Sequence, residues 1–289
     1  MAAAHQKKYK DSVILFYDSE FGTPPEYFKS FGIDMDRVIH TPITDVEQLK
    51  FDITNQLNDL DKKDNVCIVI DSIGNLASKK EVDDALDGKS VADMSRAKQM
   101  KSLFRIVTPH LNLKDIPLIC VNHTYKEIGL FPKDIVSGGT GAYYSADAIW
   151  IIGRRQEKEG TEIKGYHFVV NIEKSRHVRE KSQIPITVTF DGGIMKWSGL
   201  LEVAEKAGYV HKPKVGWYEA LNPETGEVLS DKMMRAKEIV DNKDFWLMMF
   251  EKTNLAKHIE KVYTIASSAG LISDDSQIEI ADEEIVAND

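Results

Sequence analysis

Three short apolar runs in this sequence end in side chains that can move protons or bind a cation. SVILFYDSE (12–20) delivers Asp18 and Glu20, NVCIVIDS (65–72) delivers Asp71 and Ser72, and IPLICVNH (116–123) delivers Asn122 and His123. A carboxylate such as Glu20 at a strand end can orient or deprotonate an attacking water. VCIVID has the form of a Walker B strand, whose terminal Asp holds Mg²⁺, usually through water, beside nucleotide phosphates. That makes Asp71 a metal candidate, against the plainer reading of an Asp that caps a following helix. For Glu20 the plainer reading is a surface acid, and for His123 a structural histidine. Together they are more specific than any one alone, because ligands of parallel α/β sheets collect at the carboxyl ends of the strands.

A second group suits nucleic acid. SGGTG (137–141), with Gly138 and Gly139, allows close approach of a phosphate or another backbone. The mixed segment before it, TYKEIGLFPKDIV (124–136), combines Tyr125, Lys126, Phe131 and Lys133. Aromatics interleaved with lysines suit single-stranded nucleic acid, and a surface lid is the competing reading. Gly88-Lys89-Ser90 imitates the end of a phosphate-binding P-loop. The position five residues before Gly88 is Asp83, in EVDDALD, and no G-x-x-x-x-G-K-[ST] occurs in the chain. The match is therefore false.

These residues need elements to hold them. The runs at 12–20, 65–72, 116–123 and 146–153 are too continuous for strands buried on one face, which predicts a parallel sheet covered by helices. YHFVVNIE (166–173) and PITVTF (185–190) follow 146–153 too closely for crossover helices, which predicts an antiparallel edge of the same sheet. Residues 44–61 carry Val46, Leu49, Ile53, Leu57 and Leu60 on one helical stripe. A longer helix over 91–111 carries Ala97, Met100, Phe104, Val107 and Leu111 on one face and Lys98, Lys101 and Arg105 on another. The alternation predicts an α/β core over 1–192, a small α-rich C-terminal domain over 193–272 and an acidic tail over 273–289.

Composition sets the class. The 289 residues are 42% hydrophobic and 29% charged, as in globular proteins. No stretch approaches the roughly 18–20 apolar residues of a membrane span, and MAAAHQKKYK lacks an apolar signal core. Cys67 and Cys120 sit inside apolar runs and read as buried free thiols in a reducing compartment. A net charge of −9 argues at first against nucleic acid. The tail holds seven of those charges, which leaves −2 for residues 1–272, so local basic loops can still meet phosphates.

Further stretches carry a resemblance. LFYDSEFG (15–22), VIHTP (38–42), VIDSIGNLASKKE (69–81), RAKQMKSLFRIVTPHL (96–111), VNHTY (121–125), SGGTG, YSADAIWIIGRRQ (144–156), NIEKSR (171–176) and SGLLEVAEKAGYV (198–210) run in order along almost the whole chain. The chain resembles the RecA-type recombinases, and within that family the UvsX branch of tailed phages. The resemblance implies a RecA-like ATPase core that uses ATP and Mg²⁺, with Glu20 activating water, Asp71 near Mg²⁺, and Asn122 and His123 at the sensor position. It implies that Tyr27 stacks on adenine, and that Lys174 and Arg176 reach a neighbouring subunit's ATP in the manner of an arginine finger. DNA-binding loop one falls near 78–93, with Lys79, Lys80 and Lys89 favouring phosphate and Asp83, Asp84 and Asp87 opposing it. Loop two falls at 124–138, and Arg96 and the basic stripe after it are secondary candidates.

The implied function is an ATP-dependent single-stranded-DNA-binding recombinase. It would promote homologous pairing and strand exchange with double-stranded DNA in recombination, repair and recombination-dependent replication. The implied partners are further copies of the chain in a helical filament, a single-strand-binding protein and a recombination mediator, with no membrane. The implied location is the cytoplasm, that of the host for a phage-encoded chain. The family also has a strand, a P-loop and a helix start before LFYDSE, so Met1 reads as lying inside the helix that a P-loop launches. The competing expectations are an ATP-incompetent fragment acting as an interaction module or half of a split recombinase, and a replicative helicase built on the same core.

Overall fold

The computed structural model describes residues 1–89, 95–128, 134–137, 139–159, 162–190 and 193–265. Its elements begin with α1 (Ala2–Lys8), β1 (Val13–Asp18), α2 (Pro25–Ser30), β2 (Val38–Pro42), α3 (Val46–Asp59) and β3 (Val66–Asp71). Then come α4 (Lys79–Leu86), α5 (Ser95–Lys114), β4 (Leu118–Cys120), β5 (Thr124–Lys126), β6 (Asp134–Val136) and α6 (Thr140–Ser145). The remainder holds β7 (Ala148–Glu159), β8 (Glu162–Ser175), β9 (Gln183–Thr189), β10 (Gly193–Ile194), α7 (Leu200–Lys206), β11 (Val210–Lys214), β12 (Trp217–Ala220), β13 (Met234–Arg235), α8 (Ala236–Ile239), α9 (Lys243–Lys252) and α10 (Leu255–Tyr263). Two compact units result, Met1–Ile151 and a second from Ile152 onward.

The first unit is built on a parallel sheet of order β2-β1-β3-β4. Three of the four runs expected in parallel are β1, β3 and β4. The other parallel strand is VIHTP, which lacks an apolar run because β2 is a partly exposed edge strand. The run at 146–153 instead becomes part of β7, in a separate sheet of order β10-β9-β8-β7. Trp150 and Ile152 of β7 are 49% and 56% exposed, so this apolar run is not buried on both faces. The antiparallel strands therefore form a sheet of their own rather than an edge of the first. Strands close in sequence pair at small loop-closure cost, and an apolar run alone does not reveal which neighbour it takes.

β1 shows why its run is continuous. Leu15 and Tyr17 face one core, with Ile68 and Ile70 of β3, Leu49 and Ile53 of α3, and Met100 and Phe104 of α5. Ile14 and Phe16 point the other way, onto Phe28 and Cys67. α3 buries Val46, Leu49, Ile53 and Leu57, and the Asp45 side chain accepts from the Gln48 amide at its N-terminus. Leu60 packs at the margin of the same core. α5 buries Met100, Leu103, Phe104, Val107 and Leu111, whereas Ala97, expected on that face, is exposed. Lys98, Lys101 and Arg105 remain on the exposed side.

Both cysteines are free. Burial pushes the Cys67 thiol up to about 11 and the Cys120 thiol up to about 12. Among the described residues, no helix is long and apolar enough to cross a membrane.

The second unit has its own core of Leu201 and Ala204 from α7, Tyr218 and Ala220 from β12, Phe245, Trp246 and Met249 from α9, and Leu255. A three-stranded sheet of order β11-β12-β13 accompanies these helices, which the α-rich expectation omits. β11 reads V-H-K-P-K and buries Val210 alone, so its sequence carries no strand pattern. The tail at 273–289 lies outside the described residues.

Ile68 is fully buried in the core that β3 shares with α3 and α5. Ile68→Ala is expected to lower unfolding free energy by about 2–5 kcal/mol in urea titrations.

Candidate active site at the strand ends

Parallel register brings the polar strand ends to one level. Asp18 lies opposite Asp71 across the β1–β3 ladder, and β4 pairs with β3 up to Ile70↔Cys120, leaving Asn122 and His123 just beyond. Three of the expected residues meet here. Ser72 Oγ donates to Glu20 Oε1 at 2.6 Å, His123 Nε2 lies 3.4 Å from the same oxygen, and Ser72 Oγ and His123 Nε2 are 3.5 Å apart. Ser72 is buried, while the His123 side chain is 56% exposed, so the cluster opens to solvent on one side.

Backbone and side-chain bonds fix each member. The Ser19 amide donates to the Asp71 carbonyl at 2.8 Å, the Ser19 hydroxyl donates to the Ser72 carbonyl at 2.6 Å, and the Ser72 amide donates back to Ser19 Oγ at 2.9 Å. The Asp71–Ser72 peptide is cis. Asn122 Nδ2 donates to the Ser137 carbonyl at 2.8 Å, and its Oδ1 accepts from the His123 amide at 2.9 Å. Asn122 thus holds the segment on which His123 rides. Gly74 packs beneath the imidazole, and a Cβ there would fall 2.1 Å from His123 Cδ2. Only glycine allows that approach.

Asp71 is partly buried. Desolvation, then the Glu20 and Asp18 charges, raises its carboxyl above the ordinary value, and His123 pulls the other way. Carboxylate and hydroxyl oxygens from Asp71, Glu20 and Ser72 are the hard donors that Mg²⁺ prefers. Tyr27 stands on the first turn of α2, 57% exposed, with its ring edge-on to Phe31 at 5.0 Å.

The described basic candidates of the first unit lie on other segments. Lys79 and Lys80 open α4, which Ser78 caps by accepting from the Glu81 amide. Lys80 pairs with Asp84, Lys89 with Asp87 at 2.7 Å, and Lys126 with Asp134 at 2.8 Å. Arg96 turns inward, donating to the carbonyls of Leu76 (2.6 Å), Ile73 (2.9 Å) and Gly74 (2.8 Å). It holds the loop after β3. Gly88 donates to the Ala85 carbonyl and ends α4, so Gly88 and Lys89 follow a helix.

The segment expected as a loop at 124–136 has an antiparallel stem, β5 with β6, where Tyr125 is 55% exposed. Gly139 precedes α6, and Gly141 lets α6 approach α5, since a Cβ there would lie 2.8 Å from Lys101 Cα. Phe131, Lys133 and Gly138 lie outside the described residues. Lys174 is near the end of β8 and Arg176 just past it, both in the second unit.

Sequence reasoning missed Ser19 and Gly74 as parts of this site. Ser19 was legible as the residue between two strand-end acids, but the role of Gly74 depends on which strands are neighbours.

Two outcomes test this geometry. Gly74→Ala is expected to push His123 off Glu20, read as a changed His123 imidazole resonance with little change in Tm. A carboxyl whose folded value is raised opposes folding once ionised. Asp71→Asn is therefore expected to raise Tm at pH 7, in the absence of divalent cation. The gain should fade as pH falls through the raised folded value, and vanish below the ordinary value of 3.8, where Asp71 is protonated in both states.

Known proteins share this arrangement of sequence. The RecA N-terminal domain family matches residues 1–195, and the family of the C-terminal domain of the bacteriophage T4 recombination and repair protein matches 197–259. The recombination and repair protein of Enterobacteria phage T4 is 50% identical over 270 residues, covering 92% of this chain and 69% of its own length. Protein RecA of Streptomyces coelicolor is 25% identical over 269 residues, 92% of this chain and 67% of its own length. Protein RecA of a Nocardioides species is 25% identical over 218 residues, 74% of this chain and 61% of its own length. A match over the whole α/β core, joined to a match over the domain after it, places the chain in the RecA family, in the company of the phage T4 recombination and repair protein.

Proposed function

We propose that this chain works as an ATP-dependent recombinase. In this reading it binds single-stranded DNA, assembles as a helical filament of like copies, and promotes homologous pairing and strand exchange with double-stranded DNA. It would serve recombination, repair and recombination-dependent replication in the cytoplasm, beside a single-strand-binding protein and a recombination mediator. The observation that carries the reading is the Glu20–Ser72–His123 cluster at adjacent parallel strand ends, in a chain of the RecA family.

Glu20 is the general base that takes a proton from water, within reach of solvent on the open side of the cluster. Ser72 donates to its carboxylate at rest, and His123 is the neighbouring donor that responds to the terminal phosphate. Asn122 keeps His123 in place. Bound Mg²⁺ would neutralise charge on the nucleotide phosphates, and Asp71 would hold it through water. Tyr27 offers an open ring face to adenine. Lys174 and Arg176 act on a neighbouring copy's nucleotide.

Lys79, Lys80, Lys89, Tyr125, Lys126, Phe131, Lys133, Gly138 and Gly139 form the DNA loops, with Arg96 setting the frame of loop one. Exposed ion pairs such as Lys89–Asp87 are worth about 0–1 kcal/mol, so a DNA phosphate can replace the carboxylate. The division into a core over 1–192, a C-terminal domain over 193–272 and an acidic tail over 273–289 belongs to the same reading. The separate core around Trp246 supports its middle part.

A second reading rests on one sequence fact. No G-x-x-x-x-G-K-[ST] occurs in the 289 residues, and P-loop amides are a main source of phosphate binding. In that reading these 289 residues serve as an interaction module, or work with a phosphate-binding loop supplied from elsewhere. ATP hydrolysis with and without single-stranded DNA separates the two readings. DNA-stimulated turnover by the chain alone supports the first. Turnover that appears only with an added P-loop polypeptide supports the second. Wherever turnover is measured, Glu20→Gln should lower kcat about 10²–10⁴-fold while leaving ATP binding intact.

A further inference from the structure

The turn that carries Glu20 is held from below by a buried carboxylate. Asp18 ends β1 and is 1% exposed. Its Oδ1 accepts from the amides of Glu20 (3.0 Å) and Phe21 (2.8 Å), and its Oδ2 lies 3.0 Å from His40 Nε2 on β2. Phe21 sits in the left-handed region at φ +54°, where a bulky side chain is rarely found without such restraint. The His40 ring is itself held edge-on to Phe16 at 5.4 Å. An ionised carboxylate only accepts, so Nε2 is the donor.

Asp18 thereby has a donor on both oxygens, which a buried carboxylate needs. Its two backbone bonds fix the direction in which Glu20 leaves the sheet. Neither Asp18 nor His40 bonds to Ser72 or His123. We propose that Asp18 and His40 are a positioning pair. His40, on the neighbouring strand, keeps Asp18 oriented, and Asp18 clamps the turn so that the Glu20 carboxylate stays at Ser72 and His123. This rests on the reading of Glu20 as the base, and it adds a residue of β2 to the residues that govern hydrolysis.

The test uses the 289-residue chain and two His40 variants. His40 is part exposed, with 35% of its side chain open, so both variants are expected to fold, with urea midpoints as the control. His40→Ala removes the donor to Asp18, and His40→Gln can restore one. Amide hydrogen exchange at Glu20 and Phe21 should rise about tenfold in His40→Ala and stay near wild type in His40→Gln, a loss of the size expected for one hydrogen bond to a charged group.

In ATP hydrolysis, His40→Ala should lower kcat with KM unchanged, and His40→Gln should recover it. Unchanged exchange at these two amides would overturn the proposal. So would a rise spread evenly over β1 with a fallen urea midpoint, which marks loss of the strand rather than of the clamp. Absence of hydrolysis in the wild-type chain, alone and with a P-loop polypeptide, counts against Glu20 as base, and the exchange measurement then decides for or against the pair by itself.

Discussion

β1 is the strand on which the site depends, because it is paired in parallel on both sides. Pairing to β3 sets Asp18 level with Asp71, and pairing to β2 brings His40 within reach of Asp18. Two carboxylates at one level of a sheet repel. The structure resolves this unequally. Asp18 is buried and saturated by two amides and an imidazole, whereas Asp71 faces the cluster with its carboxyl raised. One acid serves the scaffold and the other stays available for chemistry. A slip of β1 by one residue would turn Asp18 to the opposite face of the sheet and take it out of level with Asp71.

The loops around this centre follow another electrostatic rule. Lys80, Lys89 and Lys126 each meet an aspartate of the same helix, turn or hairpin. Acids in these segments therefore offset the bases locally. For a chain with a net charge of −9 this matters, because neither sum nor tally describes what a phosphate would meet. Arg96 shows the opposite case, a cation whose guanidinium is occupied by three carbonyls.

Much of the parallel sheet was legible because β1 and β3 bury both faces, and such strands leave continuous apolar runs. VIHTP was not legible as a strand by pattern, since an edge strand has only one partner to satisfy. The run around Trp150 misled for a converse reason: its apolar residues are half exposed in the single chain, and its partner is β8. Glu20, Ser72, Asn122 and His123 could be read from strand ends. Asp18 could be read as an acid but not as a clamp, because the clamp requires His40, 22 residues further on. The three-stranded sheet of the second unit was hidden by a lysine- and proline-bearing β11, whose stability comes from Val210 and its neighbours in the core rather than from its own pattern.

The two thiols have a use of their own. Cys67 lies in β3, four residues before Asp71, and Cys120 lies in β4, two before Asn122. Burial keeps both protonated at neutral pH, and a protonated thiol is a poor nucleophile. At the buried Cys67 a soluble alkylating reagent therefore reacts when β3 parts from its covering, so its rate of labelling becomes a clock for opening of the floor beneath the site, with the half-buried Cys120 as the more accessible reference. The clock is native to the chain, needs no introduced probe, and reads the two strands separately by the mass of the peptides that carry the label.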